Sequence, residues 1–133
     1  MKALTIHQPY AELIASGEKR VENRTWATRH RGHLAIHAGS SRVSLNILDV
    51  PFDVEDVPFG AVVAVVNVAE CVRFADLGCG LFPGEDCSRY AFGPWCWVLE
   101  NVQRLPEPVT VSGKQGLWNL PPDVVAAIKR QLR

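Results

Sequence analysis

Residues 61–74 read AVVAVVNVAECVRF, a near-continuous aliphatic run broken only by Asn67 and Glu70 before its end. A run of this kind, bounded by Gly60 on one side and a Gly- and Pro-rich stretch on the other, predicts a strand covered on both faces. Such a strand sits at the centre of a barrel or sandwich, so the other elements must supply two apolar layers around it. They do not alternate regularly as strand and helix. Five or six strands with a few short helices therefore point to an α+β chain built on a small, partly open β-barrel rather than a βαβ stack.

The remaining elements are read from period and punctuation. KALTIH alternates and opens the chain as a strand. QPYAELIASGEK predicts a helix over 8–19, with Pro9 in its first turn and Gly17 at its left-handed stop. KRVENRTW follows as a strand whose alternation sets Arg20, Glu22, Arg24 and Trp26 on one face and Lys19, Val21, Asn23 and Thr25 on the other. RGHLAIHAG is a further strand, and SSRVSLNILDV has the spacing of a helix over 40–50. After a long Gly/Pro loop, WCWVLENVQRL returns as a strand with Trp95 and Trp97 on one face. PEPVTV adds a proline-bounded strand, and PPDVVAAIKRQLR a closing helix docked by Val124, Val125, Ile128 and Leu132.

At 133 residues the chain is long enough to bury about two-thirds of its unfolded surface as one domain. Its formal charge is zero, with 14 Lys/Arg against 14 Asp/Glu, so it is no overall electrostatic trap for nucleic acid. The distribution is uneven: Lys19 to Arg42 holds six basic residues and only Glu22, whereas Asp49 to Asp86 holds eight acidic residues and only Arg73. One basic and one acidic surface are expected. The cysteines at 71, 79, 87 and 96 form no C-x-x-C pair, and neither a leader nor a membrane-length apolar run is seen. A cytoplasmic chain with reduced thiols is the expectation, Cys71 and Cys96 lying in the core.

The chemistry concentrates in GEKRVENRTW, residues 17–26. A lysine beside a carboxylate serves either as a base or as an anchor for an anion, and Lys19 with Glu22 could do either. Spacing alone favours an exposed hairpin of weak charge pairs. His33 and His37 stand about 13 Å apart along a strand, too far for one metal, and no ligand spacing indicates zinc. Trp26, Trp95, Trp97 and Trp118, with Tyr10 and Phe92, could stack unpaired bases, while Arg24, Arg29, Arg31 and Lys114 could take phosphate. About two of the four tryptophans should be core. SGKQG lacks the full P-loop pattern and reads as a turn.

With these residues in view, the chain resembles the ASCH domain family, related to PUA domains. The resemblance rests on IHQPYAELIASGEKRVENRTW, with Gly17, Lys19, Glu22 and Arg24 in the family's G-x-K-x-x-E-x-R pattern. GAVVAVVNVAEC and GPWCWVLENVQRLPEPVTVSGKQGLWNL extend it. It implies one ASCH domain over 1–133, a PUA-like barrel with short flanking helices, elaborated by the 75–92 loop and the 121–133 helix. It also implies a cleft beside the first helix that binds RNA or a modified nucleoside; no cofactor or metal is expected. Gln8, Pro9, Tyr10, Lys19, Glu22 and Arg24 would line it, Trp95 or Trp118 would stack, and Lys114 would assist. One family branch hydrolyses N4-acetylcytidine and another is described as a ribonuclease. On the first pattern Lys19, Glu22 and a loop glutamate, Glu85, would be catalytic, although Glu22 stands where that branch has a threonine nucleophile.

Overall fold

The computed structural model describes residues 1–46, 49–77 and 90–132. Six strands and two α-helices follow in the order β1 (Lys2–Ile6), α1 (Tyr10–Ala15), β2 (Val21–Arg24), β3 (Gly32–Ala38), β4 (Ala61–Arg73), β5 (Trp95–Thr110), β6 (Leu117–Asn119) and α2 (Pro122–Gln131). The strands form one sheet in the order β2-β5-β4-β3-β1-β6. β1 and β3 pair in parallel, and every other neighbouring pair is antiparallel. The sheet curls into a half-barrel, the α+β, PUA-like architecture expected from the sequence.

The curl has a local cause. The register of β3 on β4 slips between Ile36 and His37, and that of β4 on β5 slips at three places. Each slip leaves an unpaired residue that bends its strand and adds twist. The slip at Val62/Ala64 also resets which face each valine meets. Val62 and Val65 pack with Ala3, Ala35, Trp118 and Ile128. Val63, Ala64 and Val66 pack with Leu4, Ile36, Trp97 and the apolar side of α1. Residues 61–66 are all buried, so β4 is covered on both faces by the two layers its sequence requires. The closing helix docks as its pattern predicts, with Val124 and Ile128 buried and Val125 and Leu132 packed against them.

Three expectations are corrected. The first helix is shorter than the stretch read for it, Tyr10–Ala15, because Pro9 stands just before it rather than in its first turn; it stops at Gly17, φ +88°, as the sequence indicates. No helix forms over the described part of 40–50, where residues 43–46 are turns. There the Ser41 hydroxyl accepts the Val43 amide at 3.3 Å, a local bond that competes with helix. Finally, PEPVTV is not a separate strand: β5 runs unbroken through Pro106 and Pro108. Residues 105–108 have no ladder partner on β4, so the missing proline N–H groups leave nothing unpaired there.

Candidate functional site

β2 and β1 lie near opposite ends of the strand order, and the curl brings them face to face without a ladder. Arg24 spans the gap, its Nη2 donating to the Thr5 carbonyl at 3.0 Å. The wedge beside that strut is a cleft of about 270 Å³. Tyr10, Lys19, Glu22, Asn23, Arg24 and Phe92 supply much of its lining.

Strand alternation set Lys19 on the opposite face from Glu22. The structure places the two together, because β2 starts only at Val21 and Lys19 belongs to the turn before it. The Lys19 amide donates back to Leu13 at the end of α1, and its side chain then folds into the barrel mouth. Lys19 is 3% exposed and Glu22 7%. Lys19 Nζ donates to Glu22 Oε1 at 2.8 Å and to the Val21 carbonyl. Glu22 Oε2 accepts from Arg24 Nε at 3.0 Å and forms an ion pair with Nη2 at the same distance. One carboxylate thus aligns two cations, and the triad carries a net +1. Its burial is tolerated because every charge has an opposite partner. The Lys19 ammonium also lies 5.9 Å from the Tyr10 ring centroid, within cation–π range.

The other expected residues are distributed differently. Gln8 is fully buried: its Nε2 donates to the Pro58 carbonyl at 2.8 Å and its Oε1 accepts the Glu12 amide at 2.9 Å. It caps α1 instead of facing the cleft. Pro9 is buried too, and the Ala11 and Leu13 amides are already taken by His7 and Pro9 carbonyls. Tyr10 is the member of that trio that lines the cleft. Trp95 stands opposite Arg24 in the β2–β5 register but lies under the Arg73 guanidinium, 5.2 Å from its ring centroid, and does not line the cleft. Trp118 is 5% exposed and packs edge-on to His37, its Nε1 donating to Thr5 Oγ1 at 3.2 Å. The aromatics lining the cleft are Tyr10 and Phe92; Trp26 lines only the hollow beside it. Lys114 borders a second hollow adjoining the first. Glu85 lies outside the described residues, as do Cys79 and Cys87.

His37 is buried, and its Nε2 lies 2.6 Å from the Val111 carbonyl, which fixes the proton on that nitrogen. Its Nδ1 then accepts from the Thr5 hydroxyl at 3.1 Å. Burial holds the imidazole below the usual histidine range, against the opposing pull of the Val111 bond. Burial likewise pushes the Cys96 thiol up. Among the described residues, no three His, Cys, Asp or Glu side chains gather as metal ligands, and no helix is long and apolar enough to cross a membrane.

Asn23 was missed. Its Nδ2 donates to the Tyr90 carbonyl at 2.8 Å, and its Oδ1 accepts the Phe92 and Gly93 amides at 3.0 and 2.9 Å. One side chain therefore holds the segment that carries Phe92 into the cleft wall. The signal was there: asparagine is disfavoured within strands, and its place between Glu22 and Arg24 calls for a reason. Asn23→Ala is expected to lower stability by about 1–3 kcal/mol in denaturant melts, because backbone groups lose their partners. Asn23→Asp keeps both acceptor bonds but sets a carboxylate oxygen against the Tyr90 carbonyl, so it should recover only part of that loss. Equal losses would contradict the clamp.

The fold agrees with what the chain is similar to. Over 145 aligned positions it is 30% identical to human and to mouse activating signal cointegrator 1, covering 97% of this chain and 24% of each of those proteins. The chain thus spans about a quarter of the length of these curated relatives. In fold it is similar to the crystal structure of ASCH from Zymomonas mobilis, with TM-score 0.58 and 14% identity, covering 97% of this chain and 93% of that one. The crystal structure of a mutant form of the same Zymomonas mobilis protein, with a tyrosine changed to phenylalanine, gives TM-score 0.59 at the same identity, with 97% and 96% covered. The sequence profile of the ASCH domain matches residues 4–108, from the first strand through most of β5. The chain belongs to the ASCH domain family.

Proposed function

We propose that this ASCH domain binds RNA or a modified nucleoside in the cleft between α1 and β2. The observation that carries the reading is the pair of cations, Lys19 and Arg24, held in fixed directions by one buried carboxylate. Fixed donors lose little freedom when a ligand arrives, which favours affinity. Two of the three Lys19 N–H groups meet Glu22 and Val21, leaving one for a base carbonyl or a phosphate oxygen. Arg24 Nη1 makes no hydrogen bond to a described residue and offers further donors. Tyr10 and Phe92 flank a flat ring, and Phe92 is 66% exposed. Both Glu22 oxygens already hold donors, so its first task is to orient the cations.

The test is an amide-resolved NMR titration with cytidine, N4-acetylcytidine and a short single-stranded RNA. Shifts are expected at Tyr10, Lys19 to Arg24 and Phe92. Arg24→Gln should weaken binding by about tenfold, near 1.4 kcal/mol, with the fold retained. Perturbations confined to α2 would overturn the reading. Loss of the acetyl group during the titration would turn it toward amide hydrolysis, and strand cleavage in EDTA toward ribonuclease action.

A further inference from the structure

The cleft does not end at Arg24. On the far side of that strut lies a second, larger hollow of about 660 Å³, and Thr5, His7 and Arg24 line both. The inner hollow, about 270 Å³, falls just under the range of about 300–1,000 Å³ usual for small-molecule pockets, so it suits one nucleoside-sized group. We infer that the outer hollow, bordered by Trp26 and Lys114, is a subsite for the adjoining nucleotide. The preferred ligand is then a single strand of at least two nucleotides rather than a free nucleoside. This deepens the preceding reading and rests on it.

Three observations converge. First, the outer hollow has charge of one sign: Arg24 and Lys114 line it, and no carboxylate does so among the described residues. A phosphodiester leaving the inner hollow would pass Arg24 and His7 and meet Lys114. Second, Trp26 is 37% exposed on this hollow while its other side rests edge-on against Trp97, ring centroids 4.9 Å apart at 83°. A supported, half-exposed indole is a ready surface for base stacking, which is largely indifferent to sequence.

Third, the turn that carries Lys114 is pinned to the sheet. His37 Nε2 holds the Val111 carbonyl, and Gly113 lies so close that a Cβ there would come 2.8 Å from His37 Cε1 and 2.9 Å from Thr5 Oγ1. The lysine therefore projects from an anchored rim, and the buried chain from Trp118 through Thr5 to His37 acquires a purpose.

The experiment compares each nucleoside with its dinucleotide (cytidine with CpC, uridine with UpU, adenosine with ApA, guanosine with GpG), using the intact chain and its Lys114→Ala and Trp26→Leu variants. Deoxy dinucleotides run in parallel to separate RNA from DNA. At least one dinucleotide is expected to bind about tenfold tighter than its nucleoside, since the second contact becomes intramolecular. Each variant should remove most of that gain while leaving nucleoside affinity within about twofold. Equal affinity for nucleoside and dinucleotide, or variants that weaken both alike, would overturn the outer subsite and spare the inner one. Binding of neither would overturn both.

Discussion

Glu22→Gln will destabilise the fold more than Lys19→Met, although both break the same 2.8 Å ion pair. Without the carboxylate, Lys19 stays 3% exposed with no anion beside its ammonium, only neutral groups such as the Val21 carbonyl and the Tyr10 ring, and Arg24 keeps the Thr5 carbonyl but loses its charged partner as well. Stranding a buried charge costs about 3–5 kcal/mol. Removing Lys19 instead leaves Glu22 bonded to Arg24, so the loss should be nearer 1–3 kcal/mol, as for a buried acceptor left short of one donor. The double variant Lys19→Met/Glu22→Gln should recover part of the sum, because it no longer contains an unbalanced buried ammonium. Urea melts of the four proteins at pH 7 give the coupling directly. Strict additivity would mean that the two groups do not act as a unit. Lost binding in a Lys19 variant must therefore be read beside its stability, since the lysine also balances the carboxylate.

What the sequence disclosed follows physical range. β4 was legible because six consecutive small aliphatic residues are buried on both faces wherever they lie. The start of α2 and the stop at Gly17 were legible because proline and a positive-φ glycine act locally. The charged group at 19, 22 and 24 was legible as a cluster, but its arrangement was not. Alternation assumed a strand already running at Lys19, and whether it runs there depends on where β5 begins to pair, at Val21 opposite Val98. The aromatics failed for a related reason. Nothing local distinguishes Trp118, closed under α2 and the 111–116 turn, from Trp26, left open beside the cleft; only the curl of the sheet decides. Gln8 and Asn23 read as polar residues near a site, yet each satisfies backbone groups far along the chain, at Pro58 and at Tyr90 to Gly93.

Trp97→Ala should be among the most damaging single changes in the core, and its neighbour on the same strand supplies the control. Trp97 is fully buried in the layer beneath α1, opposite Glu22 on β2 and Cys71 on β4. Its indole N–H donates to the Trp26 carbonyl at 3.4 Å, joining β5 to the chain just past β2. Truncation empties a volume that the strands on either side cannot close, for about 3–5 kcal/mol. In a chain of this length that corresponds to a Tm drop of about 10–20 °C. Trp95→Ala, two residues earlier and only half-buried under Arg73, should cost about 1–2 kcal/mol, mainly a cation–π contact and partial apolar cover. Trp97→Phe should fall between them, keeping the ring and losing the N–H. Thermal melts in that order would support a buried Trp97 as the prop behind both Glu22 and Trp26. Equal losses at 95 and 97 would mean that the two rings share one environment, which simple alternation along β5 would give and the curled sheet does not.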